Sequence, residues 1–363
     1  MLPQIKQKIL NNERISFDEG LFLYNSNDLL TIGELGKLAR EIKAGPKKEK
    51  WVYWNKNFHL NPTNVCIGHC NFCAFAKLPK EEGAYTYTIT ECIEKTKKAV
   101  INGANEVHIV GGLNPKAALP YYLELLKAIK KEFPALHIKA FTAIEIDFFC
   151  KLAKLTYEEC LQQLIHAGLD SMPGGGAEIF SKQVRDETCP DKLNADKWLE
   201  IHGIAHKLGL KSNATMLCGI GETFEDRVDH LIRLREQQEK TRGFQTFIPL
   251  SCHYEDTDIN GKVDELTAFE KLKNIAISRI MLDNFDHIKA YWIQLGVGLS
   301  QVALNFGADD LDGTIQEENI TYSAGSKKRG LEEKFLERLI EDAGYLPVER
   351  DTVYNVLASR NAS

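Results

Sequence analysis

The stretch WVYWNKNFHLNPTNVCIGHCNFC, Trp51 to Cys73, begins with a run dense in aromatic and aliphatic side chains and closes in a polar loop carrying three cysteines. The first half reads as a β-strand, ended by the Asn61-Pro62 pair that marks a turn. A segment with apolar residues at helical spacing follows, ITECIEKTKKAVINGA, with a glycine near its end. Outward from this unit the alternation repeats. Runs beginning near Val52, Val107, His137, Asp170, Leu210, Phe244, His287 and Val302 make eight strand candidates, each followed by a segment able to form a helix. Strict alternation implies a parallel sheet with helices outside. Eight such units closing on themselves predict an α/β fold, a (β/α)8 TIM-type barrel, whose chemistry sits at the C-terminal ends of the strands. The polar and glycine-rich pieces GGLNP, EID, PGGG, GIGE, HYEDT and GADDLDGT fall at those ends. A doubly wound open sheet is the alternative.

Residues 1–50 precede the first strand and include a predicted helix, TIGELGKLAREIK; residues 51–310 form the barrel. Residues 311–363, with a second predicted helix in LEEKFLERLIEDAGY, read as a C-terminal extension packed on it.

Composition narrows the function classes. Of 363 residues, 44% are hydrophobic and 26% charged, which suits a globular domain with a real core and excludes a low-complexity chain. With 45 Lys and Arg against 51 Asp and Glu the net charge is −6, and no basic block is dense enough to track a phosphate backbone, so no nucleic-acid partner is expected. The start, MLPQIKQKILNNER, lacks the pattern of a secretory signal, and no apolar run approaches the ~20 residues that cross a bilayer, so no membrane partner is expected. Nine cysteines, three of them crowded together, argue for reduced thiols and a cytoplasmic setting rather than a disulfide framework.

Cys66, Cys70 and Cys73 form CxxxCxxC directly after the first strand. Thiolates this close in one loop are soft ligands able to surround a single metal centre. A structural zinc site normally has four protein ligands, and using His69 would crowd all four into one turn. An iron-sulfur cluster bound by three cysteines has one open iron, without a protein ligand. Three thiols without a metal are the plain alternative.

The motif, with Phe72 before Cys73, resembles the signature of the radical S-adenosylmethionine superfamily. The resemblance implies a [4Fe-4S] cluster with one open iron, chelated by S-adenosylmethionine, and cleavage of the sulfonium to methionine and a 5′-deoxyadenosyl radical. It implies the same barrel. Gly111 and Gly112, ending the second strand, let backbone approach a ligand closely. They match the family's turn for the methionine amino group, with Leu113 replacing its acid. Glu145, at the end of the third strand as read here, is placed for ribose hydroxyls, and Ser212 and Asn213 in the fifth for ribose or carboxylate.

The segments HLNPTNVC, HIVGGLNP, HIKAFTAIEI, GLDSMPGGGAEIF, SNATMLCGIGET, LDNFDHIKAYW, FGADDLDGT and ERDTVYN carry the resemblance over almost the whole chain. They are similar to the aminofutalosine synthase family of menaquinone biosynthesis, whose relatives are cyclic dehypoxanthinylfutalosine synthases and deazaflavin-forming radical enzymes. The implied reaction joins 3-[(1-carboxyvinyl)oxy]benzoate to the adenosyl group of S-adenosylmethionine, giving 6-amino-6-deoxyfutalosine, methionine and bicarbonate. A one-electron donor such as flavodoxin or ferredoxin is an implied partner. A substrate with two carboxylates calls for cationic or amide donors. Lys139, His253 and Arg185 are the candidates for binding it or moving a proton, with salt-bridging surface roles as the plain alternative. Outside enzymes, a metal-binding barrel without catalysis fits the cysteine loop.

Overall fold

The computed structural model describes residues 1–317, 319–323 and 330–359. Its strands in chain order are β1 (Trp51–Asn55), β2 (Asn57–Leu60), β3 (Glu106–Ile109), β4 (His137–Ala140), β5 (Ser171–Met172), β6 (Lys211–Cys218), β7 (Phe244–Ser251), β8 (His287–Ile288), β9 (Asp310–Gly313), β10 (Leu346–Arg350) and β11 (Val356–Ser359). Strands β2 through β8 lie side by side in sequence order as one parallel sheet. That order is what short strand-helix-strand crossovers produce.

Residues 309–316 bring the two edges of this sheet together. Ala290 N donates to Asp310 O at 2.8 Å on the β8 side, while Gln316 N donates to Asn57 O at 3.1 Å and His59 N to Gln316 O at 2.9 Å on the β2 side. The ring therefore has an eighth stave, which straddles the boundary at 310 between the barrel and the C-terminal segment as read from sequence. Strand β1 also pairs in parallel with β9 and β10, and β11 runs antiparallel at the outer edge of that second sheet.

Several elements differ from the sequence reading. The run WVYWNKNFHL is two strands meeting at Lys56, because its halves serve different sheets. The run from His137 stops at Ala140, and the helix Ala143–Ala153 takes over with Thr142 as its N-cap. The last run, from Val302, opens in the end of the helix Val297–Ala303 and the 3-10 turn Leu304–Phe306, and its strand starts only at Asp310. Alternation alone mistook an amphipathic helix for an extended segment there.

Among the described residues six helices open with a capping box, in which an N-cap Ser or Thr and an acid three residues on satisfy each other's backbone donors: Ser16/Glu19, Thr88/Glu91, Thr142/Glu145, Thr156/Glu159, Thr223/Asp226 and Thr267/Glu270. Each box fixes where a loop ends. The N-terminal helix Leu29–Ala44 lies flat on the helix Ala268–Met281 because Gly36 has no side chain; a Cβ there would stand 3.0 Å from Ala276 Cα and 2.6 Å from Phe306 O. Between sheet and helices the core is aromatic, with Trp198, Phe244, Phe247 and Phe285 buried. No described helix is long and apolar enough to cross a membrane.

Candidate active site

The cysteine loop hangs over the C-terminal ends of β2 and β3, pinned on both sides by backbone bonds. Cys66 N donates to Lys77 O at 3.0 Å and Ile67 N to Leu113 O at 3.1 Å; across the loop, Asn71 N donates to Thr188 O at 2.9 Å. His69 binds Asp191 twice, through its backbone N at 2.9 Å and its ring Nδ1 at 2.8 Å, and so faces solvent as a loop anchor. Gly112 makes the close docking possible. A Cβ on it would fall 2.2 Å from Val65 O and 3.0 Å from Cys66 Cβ.

All three thiols are free, partly exposed, and line one cavity of about 350 Å³ at the mouth of the barrel. Burial pushes the Cys70 thiol up to about 12. Among the described residues no three His, Cys, Asp or Glu side chains converge tightly enough for a lone metal ion. Three thiols on a loop folded over a hollow, with a glycine wall beside them, suit a wider polynuclear group better than a single ion.

The other walls are polar where a barrel interior is ordinarily packed with Val, Ile and Leu. His59, His108 and Lys139 stand in register on β2, β3 and β4, all facing inward. The two imidazoles are 4.7 Å apart. Burial lowers His59 to about 4 and His108 well below its ordinary value, so both are neutral near pH 7. Lys139 Nζ reaches Glu106 Oε1 at 2.5 Å, and Lys289 Nζ reaches Asp312 Oδ2 at 3.0 Å. Glu106 also accepts from Asn55 Nδ2 at 3.1 Å and Thr352 Oγ1 at 2.7 Å. Burial opposes its ionisation, yet the Lys139 ammonium holds it well below the usual carboxylate range. Each lysine is thus matched to an acid, and the floor carries hydrogen-bonding capacity with little net charge.

Glu145 sits at the N3 position of the helix Ala143–Ala153 and turns its carboxylate into the cavity. Gly111 N donates to Oε1 at 3.0 Å, and Thr142 N and Oγ1 both donate to Oε2 at 2.8 Å. Burial outweighs these donors and raises its pKa to about 7. His253 lines the far wall, its Nε2 buried without a partner, and burial lowers its pKa.

A three-cysteine loop on a parallel barrel agrees with what known proteins show. The family model for the radical SAM superfamily matches residues 60–234, and that for the CofH/MqnC C-terminal region matches residues 241–362. The aminodeoxyfutalosine synthase of Thermus thermophilus is 44% identical over 357 residues, covering 97% of this chain and 95% of its own. The chain belongs to the radical S-adenosylmethionine family that includes the aminodeoxyfutalosine synthases. It is an enzyme, and membership implies a 4Fe-4S cluster and S-adenosylmethionine. A sister family is also close: the 5-amino-6-(D-ribitylamino)uracil–L-tyrosine 4-hydroxyphenyl transferase of Methanopyrus kandleri is 41% identical over 303 residues, covering 82% of each chain. Among solved structures, an FeFe-hydrogenase maturase from Carboxydothermus hydrogenoformans superposes with a TM-score of 0.75 at 19% identity over 97% of this chain and 80% of its own, a likeness of fold.

In this family member Cys66, Cys70, Cys73, Gly111, Gly112, Lys139, Glu145, Asn213 and His253 gather around one cavity. Two of the residues singled out from sequence are not among its walls. Ser212 points from β6 toward the helices, where its hydroxyl lies 2.9 Å from His202 Nδ1 and 2.8 Å from His206 Nε2. Strand alternation puts it on the opposite face from Asn213. Arg185 is buried and spends its guanidinium on backbone carbonyls, including those of Ala177, Ile179 at 3.1 Å and Leu193. Sequence reasoning missed His59, His108, Glu178 and Lys192. For the two histidines the signal was present: NFHL and EVHI each alternate, so that His59 shares a face with Asn57 and His108 with Glu106, while Phe58, Leu60, Val107 and Ile109 take the other face.

Proposed function

We propose that the enzyme joins the adenosyl group of S-adenosylmethionine to 3-[(1-carboxyvinyl)oxy]benzoate and, with water, releases 6-amino-6-deoxyfutalosine, methionine and bicarbonate. The supporting observation is end-to-end similarity to an aminodeoxyfutalosine synthase, at 44% identity over 97% of this chain. Cys66, Cys70 and Cys73 would hold the cluster. When bound, that group, with one iron left open by the protein, supplies the electron that splits the sulfonium; a flavodoxin or ferredoxin in the cytoplasm delivers it.

The chain's own residues bind, orient and exclude water. Gly111 and Gly112 offer backbone to the amino-acid end of S-adenosylmethionine, and Glu145 and Asn213 meet its ribose. Ser212 serves only through the fixed geometry of β6. Lys139 and His253, both lining the cavity, meet the substrate carboxylates or a proton in transit, and Arg185 acts by clamping the segment Gly176 to Ile179 that follows the glycine run. Holding alkene and adenosyl carbon in near-attack geometry is the main protein contribution, since cofactors carry the hard chemistry. The apolar lining residues Phe72, Leu113, Ile248 and Leu250 suit a radical reaction that must exclude stray donors.

The test is mass spectrometry of the product from anaerobically reconstituted enzyme with the enolpyruvyl benzoate. An adduct containing the adenosyl group supports the proposal. Release of 5′-deoxyadenosine with no adduct rejects it in favour of a sister reaction, the second reading, which the 41% identity to the tyrosine-dependent transferase favours.

A further inference from the structure

One ammonium is locked against the cysteine loop. Lys192 Nζ pairs with Glu178 Oε1 and lies 5.1 Å from the ring centroid of Phe72, the residue just before Cys73. The two paired side chains are only 18% and 9% exposed, and both line the same cavity as the cysteines. Glu178 itself sits at φ 46°, a left-handed conformation that a glutamate rarely adopts, with its carbonyl accepting from Leu217 N at 2.7 Å. Backbone held in such a state by its surroundings marks a constrained site. Exposed ion pairs are weakened by water, but this one is shielded, so its field persists at the thiol loop.

We propose that the Glu178–Lys192 pair sets the reduction potential of the cluster held by Cys66, Cys70 and Cys73, with the Lys192 ammonium favouring the reduced, more negative state. The inference rests on the family reading of the cysteine loop. Cluster potentials respond to nearby charge, so a fixed cation makes the electron easier to accept. Glu178 restrains that effect and fixes the position of the lysine. No bond is made or broken at either residue.

The experiment is a redox titration, followed by electron paramagnetic resonance, of reconstituted full-length enzyme and the variants Lys192→Gln, Lys192→Arg and Glu178→Gln, with iron and sulfide counted per chain. Lys192→Gln is expected to lower the reduced-to-oxidised ratio at fixed potential about tenfold, about 59 mV for a one-electron couple. Lys192→Arg stays near the native value. Glu178→Gln, which keeps the cation and loses its counter-charge, moves the potential upward. A native potential in fully loaded Lys192→Gln overturns the proposal. Should that variant fail to load, Glu178→Gln decides, and a potential that does not rise overturns it. A native enzyme without iron-sulfur absorption would instead overturn the family reading.

Discussion

At the scale of single residues, Glu145 is a carboxyl group whose charge changes near neutral pH. Its pKa rises to about 7 in the folded chain from an ordinary 4.5, so the folded state binds a proton more tightly than the unfolded one. The stability this contributes is complete below about pH 4.5 and declines as pH rises toward about 7. Thermal melting of Glu145→Gln across that window is expected to show a flatter pH dependence than the native protein. Affinity for S-adenosylmethionine in the native enzyme should change near pH 7, and in the glutamine variant it should not. The cysteines give a simpler expectation: Cys73→Ala loses iron and visible absorption while far-UV circular dichroism stays native, because the thiol lines a cavity rather than the packed core. The cysteine spacing was legible at this scale without coordinates. The role of Arg185 was not, because a charge in a sequence does not reveal whether carbonyls or a ligand will surround it.

At the scale of elements, the site depends on where strands stop. The T-x-x-E sequence at Thr142 to Glu145 ends β4 and starts a helix, which turns the carboxylate back over the strand end toward Gly111 N. That signature was present in HIKAFTAIEI, yet the apolar run around it read as continued strand. Helix and strand compete for such runs on tertiary grounds. Gly112 is the matching feature just past the neighbouring strand β3. Gly112→Ala would drive a Cβ into Val65 O and push the cysteine loop off β3. The expected outcome is at least a severalfold drop in iron per chain with a smaller loss of secondary structure, read by iron assay and circular dichroism on the same sample. The split of Ser212 from Asn213 follows from strand periodicity, which the sequence shows as soon as the inward register is known.

For the whole molecule, the decisive feature is the C-terminal chain that seals the lower end of the barrel. Arg350 on β10 reaches Asp310 on β9 at 2.6 Å, with Tyr354 OH donating to the same carboxylate at 2.7 Å. The Tyr354 ring stacks on His287 at 3.7 Å, and Thr352 completes the bonding of Glu106 beneath Lys139. Opposite charges alternate through this buried network, so removing one member strands its partner. Arg350→Met is expected to cost about 3–5 kcal/mol, seen as a lower urea midpoint, because Asp310 would remain charged in a dry interior. The double variant Arg350→Met with Asp310→Leu should recover much of that loss.

Alternation, charge balance and the CxxxCxxC spacing by themselves pointed to alternating strands and helices with a three-cysteine loop at the C-terminal end of the first strand. These are local patterns, set by periodicity and by ligand chemistry over a few residues. Only the tertiary structure decided that residues from opposite ends of the chain close the ring. It also brought His59, His108, Lys139 and Lys289 onto one interior surface, and locked Lys192 against the cysteine loop. Those pairings join residues far apart in sequence, and which partner each buried charge finds depends on packing that no short stretch of chain encodes.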